Sequence, residues 1–128
     1  MIKYNITGYR NMNYKINYLP LSLNKLIIDT INKCVHNLPT QLTYIEIKFN
    51  FNKSINKLPC RLEYLCLGKD FDRIINLNKL SKSLKQLIIP NSQKFGGKKL
   101  CQSINKTKKL NYKTNIIICT YLTNTFCV

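Results

Sequence analysis

The sequence predicts a solenoid of short parallel strands stacked one per ~20-residue repeat, with turns and little regular helix on the opposite side. Three observations carry that prediction. The first is a recurring dipeptide: Leu19-Pro20, Leu38-Pro39 and Leu58-Pro59, with Leu80-Ser81 as a degenerate fourth copy, the leucines lying 19, 20 and 22 residues apart. The second lies downstream, where apolar residues recur 4, 7 and 9 positions after each of those leucines. They are Leu23, Leu26 and Ile28; Leu42, Ile45 and Ile47; Leu62, Leu65 and Leu67; and Leu84, Leu87 and Ile89. The third lies upstream, where each copy opens with an apolar residue and an Asn or Asp: Met12-Asn13, Ile31-Asn32, Phe51-Asn52 and Phe71-Asp72.

Each element follows from this spacing. The closing L-x-L of every copy alternates with period two, so its two apolar side chains point to one face of a short strand. The remaining apolar residues, including Ile16, Val35, Ile55 and Ile75 four positions after each opener, belong to the turns that return the chain to the next strand. One turn cannot bury its own apolar face, whereas stacked turns share a continuous core. The proline fixes its own φ and holds the preceding leucine extended, which makes a rigid corner before the strand. Two ladders of short polar residues, Asn13, Asn32, Asn52 and Asp72, and then Asn17, His36, Asn56 and Asn76, are expected to satisfy backbone groups turned inward at the bends. At the N-terminus, Tyr4-Asn5-Ile6-Thr7-Gly8 reads as the strand of a half-repeat. After Ile89 the segment PNSQKFGGKK reads as an insertion. The pattern then resumes at Leu100, Ile104, Asn105 and Leu110, with a strand at about 116–119 and a covering tail, YLTNTFCV.

A period near 20 with an L-x-x-L-x-L core is the leucine-rich-repeat signature, so the expected architecture is a leucine-rich-repeat-like solenoid. Residues 51–68, FNKSINKLPCRLEYLCLG, further resemble the FNIP repeat, a module of giant viruses and social amoebae with the pattern FN-x-x-I-x-x-LP-x-x-L-x-x-L-x-L-G. The resemblance covers about residues 12–89 and departs from the pattern at Met12 and at Leu80-Ser81. It implies a recognition module, a viral protein among its sources, and no particular activity. Such repeats often accompany an F-box; none is expected here, because the first repeat begins by Met12. The expected layout is one repeat domain over 1–128: an N-terminal cap or half-repeat at 1–11, four FNIP-like repeats at 12–91, and an insertion, degenerate repeat and C-terminal cap at 92–128.

Composition bounds the function. The net charge is +16, from 21 Lys and Arg against 5 Asp and Glu, and the chain has neither Ala nor Trp. A surplus of Lys, Asn, Ile and Tyr is what an A/T-rich coding sequence produces, so part of the charge reflects codons rather than a ligand. Apolar runs such as Leu87-Ile88-Ile89 are far too short to span a membrane. The start, MIKYNITGYR, lacks the apolar stretch of a secretory signal. A cytoplasmic location is therefore expected (host cytoplasm for a viral protein), with the six cysteines as reduced thiols.

Catalysis, a metal and a cofactor are not expected. The one histidine, His36, falls on a polar ladder position, and adjacent side chains such as Cys34 and His36 rarely converge on one atom. GGKK alone does not make a phosphate loop. The leading expectation is a protein-interaction module that meets a partner through its strand face. Outward positions there are Lys25, Ile27 and Asp29; Tyr44, Glu46 and Lys48; Tyr64, Cys66 and Gly68; and Gln86, Ile88 and Pro90. The candidate partner-binding residues are Tyr44, Glu46, Tyr64, Cys66, Ile27 and Ile88. Tyr44 and Tyr64 should be cross-strand neighbours, which suits an interface anchor and equally suits simple aromatic pairing within a sheet. The alternative is nucleic-acid binding through a stripe of Lys33, Lys53 and Arg73 and a cluster that includes Lys98, Lys99, Lys106, Lys108 and Lys109.

Overall fold

Where apolar residues alternate after each corner, the chain is extended and pairs with its own next repeat. The computed structural model describes residues 3–6, 18–31, 33–73, 75–90 and 115–119. Its strands are β1 (Lys3–Ile6), β2 (Lys25–Thr30), β3 (Tyr44–Phe49), β4 (Tyr64–Leu67), β5 (Gln86–Pro90) and β6 (Asn115–Cys119). All six lie in one parallel sheet in chain order. The register joins equivalent positions of successive repeats: Leu26 faces Ile45, Ile45 faces Leu65, and Leu65 faces Leu87. β1 lies where a strand was expected near the N-terminus, with Thr7 and Gly8 outside the described residues, and β6 lies where the last strand was expected. Pro90, expected to open the insertion, instead ends β5 and is buried. The rest of that insertion, the residues from Leu100 to Leu110 and the tail fall outside the described residues, as do Met12, Asn13, Ile16, Asn17 and Asn32.

One turn is built four times. The amide of Leu23 donates to the Pro20 carbonyl (3.0 Å), and Leu42 and Leu62 donate to Pro39 and Pro59 (both 3.2 Å). Leu84 donates in the same way to Ser81 (3.2 Å), so the turn survives without proline. The two extra residues of that fourth repeat are taken up by the single helical turn among the described residues, a 3-10 turn at Leu77–Lys79. Asn76 caps it, its Oδ1 accepting from the Asn78 amide at 3.1 Å.

The inward ladder is the core. Leu23, Leu26, Ile28, Leu42, Ile45, Leu65, Phe71, Leu87 and Ile89 have no accessible surface, and Leu62, Ile47 and Val35 have almost none. Among the described residues, Leu58 is the one expected inward leucine that stays partly open at the margin of this cluster. Each fully buried aliphatic or aromatic side chain contributes roughly 1.5–3 kcal/mol. Stacking gives every repeat several such contributions, which no isolated repeat could obtain.

At the bends a short amide bonds the next repeat's backbone as expected, but from the outside, because the bend interior is apolar. Phe51 and Phe71 occupy the bend interior, stacked at 6.1 Å between ring centroids and buried to 2% and 0%. Among the described residues no polar or charged side chain is buried. Asn52 does bond the next repeat, its Oδ1 accepting from the Asp72 amide at 3.0 Å, but it is exposed, as are His36, Asn56 and Asn76. Phenylalanine takes the inward volume, so Asn52 works from outside the bend, where the amide it bonds lies. Asn50 and Asn37 adopt left-handed backbone, φ 56° and 55°, a conformation that asparagine tolerates better than most residues. The Asn50 amide donates to Asp70 Oδ2 one repeat further on, at 2.8 Å.

Gly68 closes β4, the strand of the third repeat. A Cβ there would collide with the backbone carbonyl of Lys48 on β3. The missing side chain lets the end of β4 approach β3, and the Gly68 carbonyl then accepts from the Phe71 amide at 3.1 Å to turn the chain into the next bend.

Candidate interaction surface

The face of the sheet opposite the core is made of rows, because parallel pairing in register places repeat-equivalent side chains side by side. The first row is Lys25, Tyr44, Tyr64 and Gln86. Its centre is an aromatic stack: the Tyr44 and Tyr64 rings lie 4.1 Å apart at 3° to one another. Lys25 Nζ sits 4.0 Å from the Tyr44 ring centroid, a cation on the open π face of the pair. Tyr44 is held on three sides, since its hydroxyl also donates to Glu46 Oε2 at 3.1 Å.

Glu46 belongs to the second row, with Ile27, Cys66 and Ile88. The row closes toward β5: Ile27 and Glu46 are half-buried, whereas Cys66 is 8% exposed and Ile88 2%. In this row Cys66 and Ile88 present almost nothing to a partner, whereas in the first row Lys25, Tyr44, Tyr64 and Gln86 all stay half-exposed. A third row adds the ion pair of Asp29 and Lys48 at 3.1 Å.

These surroundings disfavour ionisation. Burial, the neighbouring Tyr64 hydroxyl and the Glu46 carboxylate push the Tyr44 phenol well above its ordinary range. Tyr64 is raised too, mainly by burial, with its contact to Tyr44 pulling the other way. Burial, and then the Glu46 charge, push the Cys66 thiol up to about 11. At neutral pH the patch holds two phenols and a thiol, all un-ionised, around one carboxylate. It offers hydrogen-bond donors and aromatic edges, and no activated nucleophile.

The basic stripe lies in the connecting segments that follow β2, β3 and β4, not on the strands. Lys33 and Arg73 are exposed and Lys53 is half-buried. Arg73 is also part of the bend, its Nε donating to the Asn52 carbonyl at 2.7 Å. Lys98, Lys99, Lys106, Lys108 and Lys109 fall outside the described residues. Cys34 and Cys60 are free and exposed, and His36 is exposed beside Cys34 in the chain. Among the described residues no three His, Cys, Asp or Glu side chains come together as metal ligands would, and no helix is long and apolar enough to cross a membrane.

Lys25 was not among the candidate site residues, yet it completes the aromatic row. Its signal was present in the repeat alignment, where it stands one repeat before Tyr44. Family models, curated proteins and solved structures gave no match to the chain.

Proposed function

We propose that the chain is a leucine-rich-repeat-like solenoid, similar to FNIP-repeat proteins, and that it serves as a non-enzymatic protein-interaction module. It recognises a partner protein, of the host if the chain is viral, through the strand face, in the cytoplasm. The observation that carries this reading is the Lys25–Tyr44–Tyr64 row with Glu46 hydrogen-bonded to it. Tyrosines held in one geometry lose little further freedom on binding, and they are enriched among residues that dominate interface energies. The regular repeat supports it as well, since stacked strands lay such rows out on one rigid surface.

The test is capture of partners from nuclease-treated cell lysate on the immobilised chain, wild type beside a Tyr44→Ala/Tyr64→Ala variant whose circular dichroism matches it. A discrete protein set retained by the wild type and lost by the variant is expected. The same set on both would move recognition away from this face.

A further inference from the structure

The charges of this chain are sorted by limb. Strand limbs 24–30, 43–50, 63–70 and 85–90 carry four cations, Lys25, Lys48, Lys69 and Lys85, against four acids, Asp29, Glu46, Glu63 and Asp70. Two of these lysines are ion-paired there, Lys48 with Asp29 at 3.1 Å and Lys85 with Glu63 at 2.8 Å. The return limbs 33–42, 53–62 and 73–84 carry Lys33; Lys53, Lys57 and Arg61; and Arg73, Lys79 and Lys82, with no acid in any of them. Two carboxylates abut these limbs along the chain, Asp72 beside Arg73 and Glu63 after Leu62, and Glu63 is paired with Lys85. All seven cations except the half-buried Lys53 are exposed. A codon bias that supplies lysine everywhere does not keep acids out of three successive limbs while balancing them on the strands.

We infer that the return limbs form a second binding edge, one that holds the phosphodiester backbone of a nucleic acid without reading its sequence. Parallel strands stack at about 4.8 Å, so equivalent cations such as Lys33, Lys53 and Arg73 recur along the edge at about that interval. The edge is built for a diffuse polyanion rather than for carboxylates. Carboxylate recognition favours the two-pronged guanidinium. Here Arg73 Nε is bonded to the Asn52 carbonyl at 2.7 Å, and Arg61 Nη1 to Gln41 Oε1 at 2.9 Å. The remaining cations are lysines, point charges indifferent to the angle at which a phosphate arrives. Exposed amides, Asn52, Asn56 and Asn76, stand among them as neutral donors of the kind that contact phosphate oxygens. The three limbs contain no Phe, Tyr or Trp, so the exposed His36 is their one aromatic ring and no series of rings is laid out along them to stack successive bases. Affinity then comes from counterion release, and it is independent of the strand-face reading.

The experiment is fluorescence anisotropy on the full chain with short labelled single-stranded RNA, single-stranded DNA and duplex DNA, and with poly-glutamate of matched charge. Two variants of equal net charge are compared with the wild type: Lys33→Gln/Lys57→Gln/Lys79→Gln on the return limbs, and Lys25→Gln/Lys69→Gln/Lys85→Gln on the strand limbs. With most of the edge engaged, wild-type affinity for nucleic acid should fall roughly a thousandfold between about 50 and 200 mM salt. The return-limb variant should bind roughly tenfold or more weakly, with a log–log salt slope shallower by about 2 to 3, whereas the strand-limb variant stays near wild type. The RNA and DNA arms identify which phosphodiester is preferred, and preference for any of them supports the edge. Equal losses in both variants would reduce the effect to net charge and overturn the inference. Poly-glutamate binding as tightly as the oligonucleotides would overturn it too, in favour of an acidic peptide.

Discussion

The third repeat, residues 51–70, and the fourth, residues 71–90, perform the same fold with different corners. Their inward residues correspond one to one: Phe51 and Phe71, Ile55 and Ile75, Leu62 and Leu84, Leu65 and Leu87, Leu67 and Ile89, all buried. The third turns at Leu58-Pro59. The fourth turns at Leu80-Ser81 after two additional residues, which coil into the Leu77–Lys79 turn and leave the bond from Leu84 to Ser81 in place. Where proline's rigidity is lost, a hydroxyl supplies bonds instead. Ser81 Oγ donates to the Cys60 carbonyl of the previous repeat at 2.5 Å and accepts from the Ser83 amide at 3.1 Å. The apolar ladder thus sets the register, and the corner can be made in more than one way.

That ranking is broken most directly at the ladder itself. Phe71 has no accessible surface and stacks on Phe51, so Phe71→Ala removes both its own burial and a neighbour's packing. Chemical denaturation should show a loss of about 3–5 kcal/mol, the usual cost of emptying a phenylalanine site. A loss below about 1 kcal/mol would show that the bend, not the ladder, holds the repeats together.

The outward rows of the two repeats give the next comparison. β4 carries Tyr64 and Cys66, whereas their β5 partners, Gln86 and Ile88, do not titrate. Cys66 is raised from its ordinary 9.0 to about 11, so the unfolded chain releases that proton at lower pH than the folded one. Its contribution to stability is complete below about pH 9 and is lost as pH rises through about 11. The raised phenols of Tyr44 and Tyr64 act in the same direction. The urea midpoint should therefore fall between pH 8 and 11 in the wild type, and fall less in Cys66→Ala, where one of the three contributions is gone. An identical fall in both proteins would remove Cys66 from the account.

Much of the architecture was readable because each inward position is stated four times in the chain, and the spacing from Leu38 to Ile47 alone gives corner, strand start and strand end. What could not be read needed depth. Spacing marks Phe51 as an opener but does not say that the ring fills the bend and leaves Asn52 outside. Alternation assigns Ile88 to the outer face but does not reveal that it is shut away there. Tyr44 and Tyr64 were legible as neighbours, since register follows from the repeat. The Lys25 cation over Tyr44 and the hydroxyl bond to Glu46 depend on side-chain directions that spacing does not carry. The sorting of charge between limbs was latent in the sequence and appears only when acids are placed by repeat phase.

The smallest effect is the sharpest statement of the comparison. Pro59→Ser converts the third corner to the fourth's chemistry at a position whose carbonyl, not its nitrogen, makes the turn bond to Leu62. The folded state keeps that bond, and the new hydroxyl stands one repeat from the Thr40 carbonyl as Ser81 stands from that of Cys60. What is lost is proline's restriction of the unfolded chain, worth about 0.4–1 kcal/mol, and part of the apolar burial of the Pro59 ring, worth about 0.8 kcal/mol per methylene. The destabilisation should be about 1–2 kcal/mol and remain clearly smaller than that of Phe71→Ala, measured under the same conditions. If Pro59→Ser instead cost as much as emptying the Phe71 site, the corner would be directing the stack, and the fourth repeat would keep its register through its 3-10 turn rather than through the ladder it shares with the third.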